Sequence, residues 1–150
     1  FADTLIGRQA YVYAADSGNF ASELARARTF GFMSSVEQLW ANGYALGASL
    51  ENTVVIGDDQ VVNPEGLRFA DEFVRHKVLD AVGDLLLAGA PVLGHYRSYR
   101  GGHKLNYAIV EALLSDDTAW EWSTAMVRRD AGQASVGAMV PAAAFGPDVS

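Results

Sequence analysis

Hydrophobic and polar positions repeat with two different periods along the chain, and these periods predict both strands and helices. A period of two from Gln9 to Ala14 predicts a short strand. Two β-branched runs in NTVVIGDDQVVN, residues 52–63, flank a Gly-Asp-Asp turn and predict a hairpin. A helical period from Phe69 to Ala88 predicts a long helix that Gly89 ends.

Shorter patterns complete the predicted order of elements. NFASELARAR predicts a helix that Asn19 caps, TFGFM predicts a connector, and SSVEQLWANG predicts a second short helix with Ser34 and Glu37 as a capping box. A further strand is predicted at VLGHYRSY, residues 92–99, and a further helix at HKLNYAIVEALL, residues 103–114. This mixture predicts an α+β fold, a two-layer sandwich of a mixed β-sheet packed on helices.

Composition narrows the class of protein. The chain has 150 residues, enough for one domain with a core, and a formal net charge of -7. This acidic balance argues against nucleic acid as a partner, because phosphate-backbone binding requires a basic surface. The absence of cysteine excludes disulfides and thiolate metal sites. No apolar run predicts a transmembrane segment and no secretory signal is seen, so the cytoplasm is the expected location.

The long predicted helix carries two stripes of side chains. One stripe is apolar and is expected to pack on the sheet; its members are Val74, Val78, Ala81, Val82 and Leu85. The other places His76, Asp80 and Asp84 four residues apart, near Phe69 and Phe73. A solvated polar face would explain the two carboxylates, but the neighbouring phenylalanines favour a lined cleft. Gly83, a glycine inside a helix, suggests a close approach at this point.

His76 and Asp80 are candidate metal ligands. Side chains at i and i+4 project over the same patch of a helix, and imidazole nitrogen and carboxylate oxygen both bind zinc. The spacing alone is a weak signal, because a hydrogen bond or an ion pair between such residues is commoner.

Two further candidates come from short motifs. In YRGGHKLN, His103 follows two glycines and opens a helix, and Asp84 or Asp80 could orient its ring; a helix-start histidine with no chemistry is the plainer interpretation. In ARARTFGFM, Thr29 could donate a hydrogen bond to an oxyanion, or it could simply begin a turn. His95 alternates along a predicted strand and is not expected to be a ligand.

Three motifs together, ARARTFGFM, GLRFADEFVRHKVLDAVGDL and GGHKLN, resemble the bacterial UDP-3-O-acyl-N-acetylglucosamine deacetylase family, zinc hydrolases of the committed step of lipid A biosynthesis. The resemblance covers roughly residues 27–114 and corresponds to the C-terminal domain of that family. It implies zinc as cofactor, UDP-3-O-acyl-N-acetylglucosamine as substrate, and a βαβ insert at about residues 35–59 that forms a hydrophobic passage for the acyl chain.

The resemblance also implies individual roles. His76 and Asp80 match zinc ligands, His103 matches the catalytic histidine, and Asp84 matches its supporting carboxylate. Thr29 matches the residue that hydrogen-bonds the developing oxyanion. The implied substrate contacts are Lys77, Phe30 and Met33.

The family's third zinc ligand and its glutamate base lie in an N-terminal domain that the resemblance does not include. We therefore expect residues 1–127 to be the C-terminal catalytic domain, residues 128–150 to be a tail with no assigned role, and the chain alone to be incomplete. We also expect the surface that the missing domain would cover to permit self-association. The alternative function is a non-catalytic module that binds the acyl-sugar nucleotide or its acyl chain.

Overall fold

A computed structural model of the chain describes residues 4–15 and 18–124. The chain divides into two units, residues 1–120 and 121–150, and of the second only residues 121–124 are described. The described elements are, in order, α1 (Phe20–Glu23), β1 (Thr29–Phe32), α2 (Met33–Ala41), β2 (Thr53–Ile56), α3 (Glu72–Leu85), a 3₁₀ helix (Leu86–Ala88) and α4 (His103–Leu114). The fold class is α+β, as predicted. The predicted boundary between residues 127 and 128 and the tail lie outside the described residues.

The strands β1 and β2 pair in parallel, with Thr29 opposite Thr53 and Phe32 opposite Ile56. Parallel neighbours cannot be joined by a tight turn, and here α2 lies on the connection between them. The two strands and α2 form a βαβ unit that begins at Thr29, so the insert expected at about residues 35–59 contains most of α2 and β2 but not the first strand. The prediction that TFGFM is a connector is therefore wrong. Its first four residues form β1, and Met33 begins α2.

The predicted hairpin after β2 is present in reduced form. Ile56 and Val61 form an isolated antiparallel bridge, and the amide of Val62 donates to the carbonyl of Val55 at 2.8 Å. The buried side chain of Asn63 accepts from the amide of Val55 and donates to the carbonyl of Thr53, each at 2.8 Å. The segment after the turn is thus held by this backbone contact and by the side chain of Asn63. Its antiparallel pairing with β2 is limited to the bridge between Ile56 and Val61.

The core lies between the small sheet and α3. Ile6, Val54, Ile56 and Phe73 form its buried cluster. The prediction of the packing face of the long helix was wrong in part. Ala81 is buried, but the other members of the apolar stripe are only half-buried: Val74, Val78, Val82 and Leu85. Phe73, from the other stripe, enters the core. The reason is that α3 meets the sheet with its first turn, so the aromatic residue nearest the sheet fills the space.

The long helix is shorter than its hydrophobic period predicted. Residues 69–71 precede it as a turn, and after Leu85 the chain tightens into the 3₁₀ helix. Gly89 has φ of 86° and ends the segment, as predicted. Gly83 faces open space, since nothing lies within 4 Å of an added Cβ there, so the expected close approach is not observed.

Two predicted strands, 9–14 and 92–99, are irregular in the structure. Their alternation does not produce pairing because neither has a strand partner among the described residues. The helix after Asn19 is only one turn long, and the side chain of Asn19 donates to the carbonyl of Ala14 instead of capping it. The predicted capping box at Ser34 is also wrong, since α2 begins at Met33. The helix at residues 103–114 is confirmed. Within the described residues, every helix is too short or too polar to cross a membrane.

Candidate active site

His76 and Asp80 face each other on α3. His76 Nε2 lies 3.2 Å from Asp80 Oδ1, and both side chains are largely buried, with exposed fractions of 13% and 9%. His76 Nδ1 lies 3.2 Å from the carbonyl oxygen of Ala27. Because a carbonyl can only accept, this contact requires a proton on Nδ1, which leaves Nε2 directed at Asp80.

Lys77 and Phe30 border the same carboxylate. Lys77 Nζ lies 2.5 Å from Asp80 Oδ2 and 5.6 Å from the centroid of the Phe30 ring. Phe30, on β1, also packs edge-on against the rings of Phe73 at 5.0 Å and His76 at 6.2 Å. The strand β1 therefore supplies the aromatic wall beside the polar stripe of α3.

Asp84 and His103 form the second pair of the site. His103 opens α4, and its Nδ1 lies 2.7 Å from Asp84 Oδ2. The imidazole is 59% exposed, whereas Asp84 is 13% exposed. His103 Nε2 lies 3.9 Å from Asp80 Oδ2, so the second pair adjoins the first. The structure thus brings together the four polar side chains that the sequence singled out on two different helices.

A buried amide extends this second pair. Asn106 Nδ2 donates to Asp84 Oδ2 at 2.8 Å, and the hydroxyl of Tyr96 donates to Asn106 Oδ1 at 2.6 Å. Burial raises the pKa of Asp84, but the hydrogen bonds from Asn106 and His103 and the charge of Lys77 outweigh it, so the pKa lies below its ordinary value. Asp84 is therefore an anion that can hold the Nδ1 proton of His103.

Thr29 and Met33 begin β1 and α2, on either side of Phe30. Thr29 is exposed and, with His76, lines an open cavity of about 650 Å³. Met33 is half-buried, and no described contact joins it to His76 or Asp80. A second, apolar cavity of about 250 Å³ lies within the βαβ unit; its lining includes Val36, Trp40, Leu50 and Val55. His95 is exposed and lies outside the contacts described above.

Sequence reasoning missed Glu72, which lies one turn before His76. Glu72 is fully buried and its Oε1 accepts from the backbone amide and Nε of Arg28, at 3.0 and 2.9 Å. Arg28 also pairs with Glu65 at 2.5 Å. Glu72 continues the four-residue spacing of the polar stripe toward the N-terminus, so the signal was present in the sequence.

The donor chemistry of His76 and Asp80 fits zinc. Two ligands at about 2.1 Å on a tetrahedral ion are separated by about 3.4 Å, close to the 3.2 Å between His76 Nε2 and Asp80 Oδ1. Within residues 4–15 and 18–124, no group of three or more His, Cys, Asp or Glu side chains is arranged to hold a metal. A zinc site built on His76 and Asp80 would therefore need at least one further donor.

Comparison with known proteins places this geometry in a family. The model of the LpxC family, UDP-3-O-acyl N-acetylglycosamine deacetylase, matches residues 1–115. The chain belongs to this family. Proteins named UDP-3-O-acyl-N-acetylglucosamine deacetylase from Brucella ovis, Brucella canis and Brucella suis are each 64% identical to it over 118 residues. The family resemblance of the three sequence motifs is thereby confirmed.

The match covers unequal parts of the chains. It includes 78% of this chain but only 41% of the length of each Brucella relative. The matched part of the chain therefore spans less than half the length of these LpxC relatives, and the activity of the whole enzyme does not transfer to the chain directly.

Proposed function

We propose that this chain is the C-terminal part of a zinc-dependent amidohydrolase that removes the N-acetyl group of UDP-3-O-acyl-N-acetylglucosamine, releasing acetate in the committed step of lipid A biosynthesis. The cytoplasm is its proposed compartment. One observation carries the proposal: His76 with Asp80 and His103 with Asp84 converge from two helices, with 3.9 Å between the pairs. The first pair has the groups to bind a metal, and the second has an oriented, exposed imidazole that can transfer a proton. Metal-assisted amide hydrolysis uses both.

His76 and Asp80 are the residues that would hold zinc. A bound zinc would supply Lewis acidity toward a carbonyl oxygen and would lower the pKa of a water molecule. The remaining ligand and the general base would come from the part of the relatives that this chain does not span. We therefore expect the chain alone to bind zinc weakly and to turn over little or no substrate.

His103 is the proposed proton donor to the departing amine. Its Nδ1 proton is donated to Asp84, which fixes the tautomer and leaves Nε2, on the exposed ring, free to exchange a proton with substrate. Asp84 is suited to this role because its lowered pKa keeps it charged. Thr29, exposed at the mouth of the larger cavity, would donate its hydroxyl proton to the developing oxyanion.

Three side chains are proposed substrate contacts. Lys77 would offer its ammonium group to anionic or hydroxyl oxygens of the substrate, and Phe30 would offer a ring face to the sugar. Met33 would contact the substrate beside Phe30. The first two are supported by their position over the polar stripe, where Lys77 Nζ lies 5.6 Å from the Phe30 centroid. Met33 is supported by the family resemblance alone.

The test is zinc affinity, measured by competition with a chromogenic chelator on the wild type and on His76→Ala and Asp80→Ala. His95→Ala is the matched control, because it removes an exposed histidine outside the site. We expect weak binding that both site variants abolish and the control retains, with no acetate release. Zinc binding unchanged in both site variants would overturn the assignment of the metal ligands. Acetate release by the isolated chain would overturn the proposal that the chain alone is incomplete.

The apolar cavity within the βαβ unit favours a second function, a non-catalytic module that binds the acyl-sugar nucleotide or its acyl chain. Val36 and Val55 face this cavity from α2 and β2. A fatty-acid probe that binds with equal affinity with and without zinc, and loses affinity in Val36→Asp, would support this function. If the probe does not bind, this second function is contradicted.

We also propose that the chain associates with a second copy or with the remaining domain of the enzyme. The support is a set of exposed apolar side chains on the 3₁₀ helix and α4: Leu86, Leu87, Leu105, Tyr107 and Ile109. Sedimentation at increasing concentration should show self-association, and a strictly monomeric profile would contradict it.

A further inference from the structure

A single peptide group, the one joining Ala27 to Arg28, is held at both ends by α3. Its N–H donates to Glu72 Oε1 at 3.0 Å, and its carbonyl oxygen accepts from His76 Nδ1 at 3.2 Å. Glu72 and His76 are four residues apart, so their side chains project from adjacent turns of one helix face. The two side chains therefore contact opposite edges of the same peptide plane.

The Glu72 end of this contact is rigid. Its carboxylate is 0% exposed, and besides the amide of Arg28 it accepts from Arg28 Nε at 2.9 Å, Arg28 Nη2 at 3.1 Å and the amide of Arg68 at 2.6 Å. A buried carboxylate with this many donors has one low-energy placement, because each donor that it lost would be an unsatisfied buried group.

The His76 end depends on the orientation of the peptide group. The carbonyl of Ala27 and the amide of Arg28 are fixed in one plane and point in opposite directions. If the amide turned away from Glu72, the carbonyl would turn away from His76. The imidazole would then lose the acceptor that keeps its proton on Nδ1 and its Nε2 toward Asp80.

We propose that Glu72 is a positioning residue, which orients the imidazole of His76 through the Ala27–Arg28 peptide group. This rests on the proposed role of His76 as a metal ligand. Hydrogen bonds that orient a ligating imidazole influence metal affinity by about 10–100-fold. The described hydrogen bonds of Glu72 go to Arg28 and to the amide of Arg68.

The test separates the peptide contact from the charge of Glu72. Glu72→Met removes both acceptor oxygens at similar volume. Glu72→Gln loses the charge but keeps an oxygen that can accept from the amide of Arg28. Glu65→Gln is the matched control, since it removes another ion pair of Arg28 without touching the peptide group.

Zinc affinity should fall about 10–100-fold in Glu72→Met and stay within about threefold of wild type in Glu65→Gln, whose carboxylate is half-exposed. In Glu72→Gln it should fall less than in Glu72→Met, because the amide of Arg28 keeps an acceptor. Imidazole ¹H–¹⁵N spectra should show a slowly exchanging proton on His76 Nδ1 in wild type and Glu72→Gln, and rapid exchange in Glu72→Met. Equal losses in Glu72→Met and Glu72→Gln would mean that charge, not the peptide contact, matters, and would overturn the proposal. So would a folded Glu72→Met with wild-type affinity.

The spectra keep the proposal testable if Glu72→Met does not fold. A slowly exchanging Nδ1 proton in both wild type and Glu72→Gln would then support it, and a proton found only on Nε2 in either would overturn it. The spectra need no zinc. A chain that binds no zinc but shows the Nδ1 proton would therefore refute the metal proposal and retain the positioning of His76.

Discussion

The two ends of α3 carry carboxylates with opposite surroundings. Glu72, in the first turn, is fully buried between Arg28 and Arg68, whereas Asp84, near the last turn, holds a histidine that is 59% exposed. Burial raises the pKa of both groups, and hydrogen bonds from their partners outweigh it, so both pKa values lie below their ordinary ranges. Hydrogen bonds from partner groups therefore favour the charged form of the carboxylate at both ends of α3.

The difference lies in what each carboxylate holds. Glu72 accepts hydrogen bonds from two backbone amides and from the buried guanidinium of Arg28. These partners are fixed because they are backbone groups or buried. Asp84 holds a largely exposed side chain, and it is itself held by the buried amide of Asn106. We infer that the first end of α3 determines stability and that the last end is available for chemistry.

The largest effect is expected at the first end. Arg28→Met leaves Glu72 buried without its counter-charge and should lower the free energy of unfolding by about 3–5 kcal/mol. Urea denaturation followed by circular dichroism measures it. Glu65→Gln, which breaks a half-exposed ion pair of the same arginine, should cost under about 1 kcal/mol. Equal losses in the two variants would remove the distinction between buried and exposed partners.

The acid dependence of stability should trace to the same residue. Because the folded-state pKa of Glu72 is lowered, its contribution is present above the unfolded-state pKa and is lost as the pH falls through the folded-state pKa, below about pH 5. Unfolding free energies of wild type should therefore decrease in acid more steeply than those of Glu72→Gln. Parallel pH profiles of the two proteins would contradict this.

A smaller effect is expected next to Asp84. Asn106→Leu removes a buried donor and should cost about 1–3 kcal/mol. It should also raise the pKa of Asp84, because a hydrogen bond to the charged form is lost. Carboxyl ¹³C titration and urea denaturation measure the two effects.

Tyr96→Phe is the milder comparison for Asn106. It removes only the hydroxyl that donates to Asn106 and should change stability by about 1 kcal/mol. An unchanged Asp84 pKa in Asn106→Leu would show that the amide does not control this carboxylate.

The smallest effect on stability is expected at His103. Its ring is more than half exposed, so His103→Gln should change the free energy of unfolding by less than about 0.5 kcal/mol. His95→Gln is the exposed control and should behave alike. A loss above about 2 kcal/mol in His103→Gln alone would mean that the last end of α3 is structural as well.

Several elements were predictable because their signals are local. The helix at residues 103–114, the glycine that ends the 3₁₀ helix and the spacing of His76, Asp80 and Asp84 depend on nearest neighbours along one helix. The predicted strands at 9–14 and 92–99 failed because alternation produces a strand only when a partner strand is available. β1 was missed for the converse reason, since a four-residue segment with a central glycine pairs with β2 in the tertiary structure.

The sequence by itself determined the four-residue spacing that places His76, Asp80 and Asp84 on one face of a helix. Only the tertiary structure decided that His103 adjoins Asp84 and that Glu72, spaced like its neighbours, is buried as an anchor. The physical reason is that helical periodicity specifies direction around an axis, whereas burial depends on what packs against that direction. At the first turn of α3 this is Arg28, and at the last turn it is the start of α4.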